Sequence, residues 1–340
     1  MFVLHRKAMV LYILFVFNQP VSSLFDPMID PFSPISGNEF SAGTCPGLYC
    51  GRVLYNETMP DNSNWTYTEC RACPKGERPD EYSICQSCLG DPDLYAWLYL
   101  GFMFLITLVL HFFFIDHFSK EVKVVILHTS SFVECVAAAI FTLLSVEPVG
   151  DLKIQSCKVN MVSDWYTMFS NPTPDYKHKI HCTQEAVYPL YSMVFIFFGY
   201  QWVLMVLFRP LLSVKLCKNQ GRNSIYAALY FLPILVVIHA VFAGIIYYSF
   251  PFVVIVISLI TSTIHFLKQQ DSLWHIFRGK RNIIILLLHW LIHAYGIISF
   301  TELQNLKVHL PLLILVIVPS LFFVLTFKLS EPTRILSFQP

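Results

Sequence analysis

From residue 94 onward, the chain alternates between long apolar runs and short polar breaks. A helix that crosses the hydrocarbon core of a bilayer needs about 20 predominantly apolar residues. The runs that approach this length are 94–115, 122–146, 187–208, 225–245, 250–267, 283–300 and 310–327. The pattern therefore predicts an all-α polytopic membrane protein, with about seven transmembrane helices in a bundle over residues 94–328.

The division between the fourth and fifth spans depends on an almost unbroken apolar stretch, 225–267. This stretch is too long for one crossing and has the length of two. Tyr247, Tyr248 and Ser249 lie near its middle, and aromatic residues favour the membrane–water interface. We therefore predict two helices joined by a hairpin at these three residues.

The N-terminus has the pattern of a secretory signal peptide. Arg6 and Lys7 precede the short apolar run 8–17, and Asn18, Gln19 and Pro20 end it. Such a run is too short to span a bilayer and is typical of a cleaved signal. We predict a signal peptide over 1–23; the alternative is an uncleaved anchor that adds one helix.

Residues 24–93 form a polar segment that contains six of the ten cysteines: Cys45, Cys50, Cys70, Cys73, Cys85 and Cys88. The last four make two Cys-x-x-Cys pairs, a spacing that can hold tetrahedral zinc. Two glycosylation sequons, at Asn56 and Asn64, favour an oxidising lumen instead, where thiols pair with one another. We predict a small, disulfide-rich, glycosylated lumenal head, and the spacing leaves the pairing open.

Two further cysteines, Cys157 and Cys182, lie in the long loop 147–186 between the second and third spans. A lumenal head places this loop in the lumen as well, so we predict that these two form a fourth disulfide. The alternative is a pair of unbonded thiols. Cys135, within a span, and Cys217, on the cytosolic side, are predicted to be reduced.

The distribution of basic residues predicts the orientation. The stretches 116–121, 209–224, 268–282 and the tail 329–340 are then cytosolic, and the short lumenal loops hold one basic residue, Lys307. Two of the cytosolic stretches carry Arg209, Lys215, Lys218, Arg222, Lys268, Arg278, Lys280 and Arg281. This asymmetry follows the positive-inside rule and predicts a lumenal N-terminus and a cytosolic C-terminus.

Composition agrees with a membrane protein. Of the 340 residues, 55% are apolar and 13% are charged, whereas soluble domains carry about 25% charged residues. A formal net charge of +1 argues against nucleic-acid binding. The sequence has no nucleotide-binding glycine motif, so phosphoryl transfer is not indicated.

Ionisable residues within spans are functional candidates because each costs a few kcal/mol to insert. Glu134, His239, His265, His289 and His293 lie in spans, and the last two are one helical turn apart. That spacing suits a shared zinc ion, as in ceramidase-like membrane hydrolases. No aspartate lies within a span to complete such a set, and the site needs Glu134 and His239 to converge. The alternative, a polar seam between helices that includes Trp290, is favoured, and neither a metal nor another cofactor is predicted.

Several segments together resemble one family. They are CPGLYCG at 45–51, CRACP at 70–74, YAWLYLGFM at 95–103, DWYTM at 164–168, NPTPDY at 171–176, HCTQEAVYP at 181–189, SIYAALYF at 224–231, HWLIHAYG at 289–296 and EPTRILS at 331–337. In this order they resemble the Jun N-terminal kinase-associated membrane protein family, over nearly all of the predicted mature chain. The signal-like extension and the loop 268–282 depart from the family pattern.

This resemblance implies a seven-span, multi-pass protein of the endoplasmic-reticulum membrane. It implies a non-enzymatic adaptor that recruits the proteasome, ubiquitin-ligase components and other parts of the machinery for degrading misfolded proteins. It also implies a role in the unfolded protein response and in Jun N-terminal kinase signalling. No catalytic residues come with the resemblance.

The C-terminal tail offers a candidate partner-binding segment, and two other functions are compatible with the predicted topology. Arg334, Ile335, Leu336 and Phe338 are similar to a kinase docking peptide, and the alternative is a helix end anchored at the interface. A seven-helix receptor has the same topology, but Arg209-Pro210-Leu211-Leu212 stands where such receptors carry an Asp-Arg-Tyr-like string. The second rival is the intramembrane zinc hydrolase built on Glu134, His289 and His293.

Overall fold

The computed structural model describes residues 45, 47–59, 62–118, 124–169, 182–215, 221–268, 280–322 and 325. The predicted signal peptide, Cys217, most of the predicted cytosolic loops, and the tail residues Arg334, Ile335, Leu336 and Phe338 lie outside these residues. Two regions follow each other along the described chain: a cysteine-rich head before residue 94 and a set of long apolar helices after it.

Short antiparallel strand pairs make up the head. Strands β1 (Cys50–Gly51) and β4 (Arg71–Ala72) pair with each other, as do β2 (Leu54–Met59) and β3 (Asn62–Tyr67), and β5 (Glu77–Pro79) and β6 (Cys85–Ser87). In the longest pair, Leu54 lies opposite Tyr67 and Met59 lies opposite Asn62. Isolated two-stranded pairs are at best marginally stable in water. The head therefore depends on covalent cross-links.

Four disulfides supply these cross-links: Cys45–Cys70, Cys73–Cys85, Cys50–Cys182 and Cys88–Cys157. The predicted bond between Cys157 and Cys182 is wrong, because each of these cysteines bonds to the head. Cys50 and Cys182 have their Cα atoms 5.0 Å apart, and the pair Cys88–Cys157 has a separation of 4.9 Å. The loop between the second and third helices is thus bonded to the head at two points.

The disulfide Cys73–Cys85 lies directly on the backbone of β1. A Cβ atom at Gly51 would lie 2.6 Å from the sulfur of each of these two cysteines. Any side chain at this position would displace the disulfide, so the close approach requires glycine.

Three long helices follow the head: α1 (Leu94–Phe118), α2 (Val124–Ser145) and α3 (Leu190–Lys215). Two short 3₁₀ helices, Val162–Trp165 and Thr167–Phe169, lie in the loop between α2 and α3. Helix α3 continues through Pro210 and ends at Lys215. The prediction that Arg209 lies in a cytosolic loop is therefore wrong, because the helix places it inside the bundle, with no exposed surface.

Helix α4 spans Arg222–Lys268 and is interrupted at Phe242, where φ is −114° and ψ is 15°. The predicted hairpin at Tyr247–Ser249 is wrong in position, because these residues are helical and the interruption comes five residues earlier. Gly244 lies two residues after this interruption. A Cβ atom at this position would lie less than 3.0 Å from atoms of Trp165 and Tyr166, so glycine lets these two residues pack against the backbone. The short loop helix therefore packs at the bend of α4.

The two arms of α4 run antiparallel to different helices, although Tyr247 and Phe250, just after the bend, also contact α1. In the first arm, Phe231 lies against His111 of α1, and His239 lies against Tyr99, twelve residues earlier in α1. This arm is thus antiparallel to α1. In the second arm, Ser258 contacts His293 and His265 stacks on His289, so this arm is antiparallel to α5 (Lys280–Thr301).

After α5 come α6 (Leu306–Leu312), a 3₁₀ turn over Leu313–Val316 and a further helical segment over 318–322. The expected single helix over 310–327 is interrupted here. Pro319 has no backbone N–H and its ring clashes with the carbonyl four residues earlier, at Leu315. A short 3₁₀ segment is the usual way for a chain to accommodate such a break.

Within the described ranges, five helices are long and apolar enough to cross a membrane by length and composition: α1 to α5. The prediction of a mostly helical membrane protein with disulfides is confirmed at this level. The main core lies where α1, α3 and α4 meet near the head, around the fully buried Tyr99, Phe198 and Phe250.

Candidate functional site

The most unusual feature of the helices is a buried charge cluster between α1, α2 and α3. Arg209 has no exposed side-chain surface and Glu134 has 3%. The Nη2 group of Arg209 donates to Glu134 Oε2, and its Nε group lies 3.4 Å from Glu134 Oε1. Ser130, one turn earlier on α2, donates to Glu134 Oε1 at 2.6 Å. The carboxylate is therefore neutralised by an arginine and held by a hydroxyl.

The cluster continues to His111 of α1 and Gln201 of α3. Arg209 Nη1 lies 3.0 Å from His111 Nδ1, and His111 Nε2 lies 2.9 Å from the side-chain amide of Gln201. A guanidinium can only donate, so Nδ1 must accept and the ring is neutral with its proton on Nε2. Nε2 then donates, so its partner on Gln201 is the side-chain amide oxygen, which accepts.

This chain of contacts links three helices through polar groups in an apolar environment. Removing one partner of a buried ion pair leaves an uncompensated charge and costs about 3–5 kcal/mol. The cluster therefore fixes the relative positions of α1, α2 and α3. Sequence reasoning identified Glu134 as an intramembrane residue but missed Arg209, because positive residues at helix ends ordinarily mark topology.

The histidines predicted as possible zinc ligands have other contacts. His293 Nδ1 lies 2.7 Å from the Ser258 hydroxyl, and His289 Nδ1 lies 2.7 Å from the Ile285 carbonyl of its own helix. His239 contacts the Tyr99 hydroxyl and the Tyr191 carbonyl. The structure does not bring Glu134 together with these histidines, since Glu134 pairs with Arg209. In the part of the chain that is described, no three His, Cys, Asp or Glu side chains are grouped as metal ligands.

A second polar cluster joins the head to the loop between α2 and α3. Asp164, whose side chain is fully buried, pairs with Arg78 of β5 at 2.9 Å. It also accepts from the Tyr49 hydroxyl at 2.8 Å and from the backbone N–H groups of Asn160 and Met161. Burial raises the pKa of the Tyr49 hydroxyl above its ordinary value, with Asp164 adding to the shift, so this group stays a donor. The sequence showed no signal for this cluster beyond the segment DWYTM.

The head-side end of α3 carries one more acid, the partly buried Glu185. Glu185 accepts from the backbone N–H of Ser192 at 2.8 Å and from the Ser192 hydroxyl. Its pKa is raised, chiefly by burial, and the Ser192 hydrogen bonds oppose that shift. The carboxylate satisfies a backbone N–H in the first turn of α3, as an N-terminal cap does.

The remaining predicted site residues are the two sequon asparagines and a cysteine within a span. The sequon residues Asn56 and Asn64 lie in β2 and β3, where Asn56 is opposite Trp65 and Asn64 is opposite Glu57. Cys135 is a buried free thiol.

Comparison with known proteins identifies the family. The family model for "JNK1/MAPK8-associated membrane protein" matches residues 45–332. This chain belongs to that family. The mouse protein of the same name is 47% identical over 300 residues, which cover 86% of this chain and 96% of the relative. The human protein is 48% identical over the same coverage, and a homologue from Caenorhabditis elegans is 29% identical over 311 residues, 85% of this chain and 94% of the relative.

No solved structure matches this chain. The family description and the names of these relatives denote a membrane protein associated with a kinase, and they do not denote an enzyme. The resemblance found in the sequence is therefore confirmed.

Proposed function

We propose that this chain is a multi-pass adaptor of the endoplasmic-reticulum membrane that recruits the proteasome and other degradation components for misfolded proteins and modulates Jun N-terminal kinase signalling. Membership of the JNK1/MAPK8-associated membrane protein family carries the proposal. The names of the mouse and human relatives supply the kinase association. The recruitment of degradation components rests on the sequence resemblance alone.

The proposed topology has seven crossings, with the head in the lumen and the tail in the cytosol. The bonds Cys50–Cys182 and Cys88–Cys157 support one part of it, because they require the head and the loop after α2 to lie on the same side. Disulfides persist in an oxidising compartment, which favours the lumen.

The length of α4 supports the proposal that this helix crosses the membrane twice. Its 47 residues measure about 70 Å at 1.5 Å per residue, more than twice the roughly 30 Å of a bilayer core. The bend at Phe242 and the antiparallel packing of the two arms on α1 and α5 favour two crossings. The shorter apolar segment Lys307–Phe322, which includes α6 and the 3₁₀ turn, is then the seventh crossing.

The basic residues at helix ends then agree with this topology. Lys215 ends α3, Arg222 begins α4, Lys268 ends it and Lys280 begins α5. If α4 crosses twice, all four lie on the side opposite the head. A concentration of positive charge on that side is what the positive-inside rule expects of the cytosol. This surface and the tail are the parts of the chain available to a cytosolic partner.

Binding to purified partners tests the proposal. The full chain, reconstituted in lipid nanodiscs, is immobilised and exposed separately to Jun N-terminal kinase and to intact proteasome. We expect both to bind, and we expect deletion of residues 328–340 or neutralisation of Lys215 and Lys218 to weaken at least one of them. Neutralising Lys153 and Lys158, on the opposite side in the proposed topology, is the matched control and should change neither.

The outcomes are distinct. Loss of binding only in the tail deletion assigns the contact to the tail, and loss only in the loop variant assigns it to the loop between α3 and α4. Absence of binding by either partner to the intact chain contradicts the adaptor function.

A further inference from the structure

One disulfide of the head lies beside an arginine. The Nε–H group of Arg52, the residue after β1, donates to the Sγ atom of Cys70 at 3.4 Å. Cys70 bonds to Cys45, and both residues are half-buried rather than buried. A positive group next to a sulfur stabilises that sulfur as a thiolate. Cys70 is therefore a good leaving group if a thiolate attacks Cys45.

The other three disulfides differ in accessibility. Each has at least one buried member: Cys50 and Cys182 in one bond, Cys73 in the second and Cys157 in the third. Cys50 and Cys182 are buried in an apolar cluster with Tyr49 and Ala186, and Cys157 is buried in another; Cys45 packs against the first cluster but stays half-buried. Thiol–disulfide exchange requires access to the sulfur as well as a stable leaving thiolate. Within the described head, the bond Cys45–Cys70 alone combines an accessible pair with a hydrogen-bonded arginine.

We propose that Cys45–Cys70 is a thiol-exchange site, reduced selectively while the three other disulfides remain intact. A thiolate RS⁻ attacks Cys45 Sγ, an R–S–S–Cys45 bond forms, and the Cys45–Cys70 bond breaks with its electron pair leaving on Cys70 Sγ. A second RS⁻ attacks the R sulfur of that mixed disulfide and releases Cys45 as a thiolate and RSSR. The two external thiols are oxidised, the disulfide is reduced, and both cysteine thiolates take a proton from water.

The consequence is local. The Cys45–Cys70 bond encloses the hairpin of β2 and β3, whereas Cys50, five residues after Cys45, stays bonded to Cys182. Reduction thus releases Cys45 from Cys70 and leaves the head joined to the helices through Cys50–Cys182 and Cys88–Cys157. The attacking thiol can be a small molecule such as glutathione or the active-site cysteine of an oxidoreductase. The two sources share the same chemistry.

Site-resolved alkylation of the full chain in nanodiscs tests the site. The protein is incubated with graded reduced glutathione, quenched with one alkylating reagent, reduced fully and labelled with a second. Mass spectrometry then gives the reduced fraction of each cysteine. We expect Cys45 and Cys70 to be reduced about tenfold or more faster than the other six, because access and leaving-group stability act together.

The role of the arginine is tested with three variants. Arg52→Ala should slow the reduction of Cys45–Cys70 about three- to tenfold, and Arg52→Lys should preserve most of the rate because it keeps the positive charge. Arg71→Ala, at the exposed residue next to Cys70, should leave the rate unchanged. Non-reducing peptide mapping first establishes that each variant contains all four disulfides, so a folding defect is recognised separately.

The attacking thiol is identified in parallel. A glutathione adduct on Cys45 supports the small-molecule source, and a mixed disulfide between Cys45 and an oxidoreductase with a Cys-x-x-Ala active site supports the protein source. Reduction of another disulfide first, or an unchanged rate in Arg52→Ala, overturns the proposal. Because this readout involves the head alone, its failure is distinguishable from failure of the adaptor function.

Discussion

Arg209 and Glu134 form an ion pair between α3 and α2 in which the arginine has no exposed side-chain surface and the glutamate has 3%. His111 accepts from the same guanidinium, so the pair also connects to α1. Both charges lie in helices that are apolar enough to cross a membrane. A charge buried in such helices needs a counter-charge, and each of these two residues supplies it for the other.

The first prediction concerns this pair. Glu134→Ala leaves Arg209 buried without a counter-charge and should lower the free energy of unfolding by about 3–5 kcal/mol. Thermal unfolding of the purified chain in detergent measures the loss. Asp116→Asn is the control, because Asp116 has a side chain that is 70% exposed and surface ion pairs contribute about 0–1 kcal/mol. Equal effects of the two variants are incompatible with a structural role for the buried pair.

The second prediction concerns the contact between the head and the loop. Arg78→Ala leaves Asp164 buried with fewer donors, so the head should become more accessible to protease while α1 to α5 stay intact. The loss should be about 1–3 kcal/mol, since the Tyr49 and backbone hydrogen bonds remain. Limited proteolysis and hydrogen exchange of the head measure it. Arg71→Ala, at an exposed position, should behave as the unmodified chain does.

The third prediction is the disulfide connectivity. Peptide mapping under non-reducing conditions should recover Cys50 linked to Cys182 and Cys88 linked to Cys157. Cys182→Ser should liberate the thiol of Cys50 and leave Cys157 bonded. A linked Cys157–Cys182 peptide in the unmodified chain is the result that contradicts the structure.

The fourth prediction concerns metal. His293 shares a hydrogen bond with Ser258, and Glu134 pairs with Arg209, so the purified chain should contain only trace zinc. Chelator treatment should not change the unfolding temperature. His293→Ala should cost about 1 kcal/mol through loss of the hydrogen bond. One zinc per chain that disappears in His293→Ala supports the hydrolase alternative instead.

The fifth prediction concerns the sequons and with them the side of the membrane on which the head lies. If the head is lumenal, endoglycosidase should lower the apparent mass of the chain made in cells. The double variant Asn56→Gln and Asn64→Gln should show no such shift, and each single variant should show a smaller one. An unmodified chain that does not respond to the enzyme argues against a lumenal head.

The sequence reached the general architecture because apolar run length is a local property. Long runs without charge predict membrane helices whatever their neighbours are, and the clustered cysteines of the head predict disulfides. The bend of α4 was misplaced by the same reasoning. The pattern around Tyr247 suggested a turn at an interface, but Gly244, with Trp165 and Tyr166 packed against it, lies beside the actual interruption.

The sequence by itself determined that this is a mostly helical membrane protein with paired cysteines and that it belongs to its family. The length of apolar runs, the clustering of cysteines and the order of motifs can all be read along the chain without knowing how it packs. Only the tertiary structure decided which cysteines pair, that Arg209 lies inside the bundle with Glu134 and His111, and that Arg52 lies beside Cys70. Each of these depends on which segments, distant in sequence, come within a few ångströms of each other. The packing of the helices and the head decides these contacts, and they cannot be predicted from the spacing of residues along the chain.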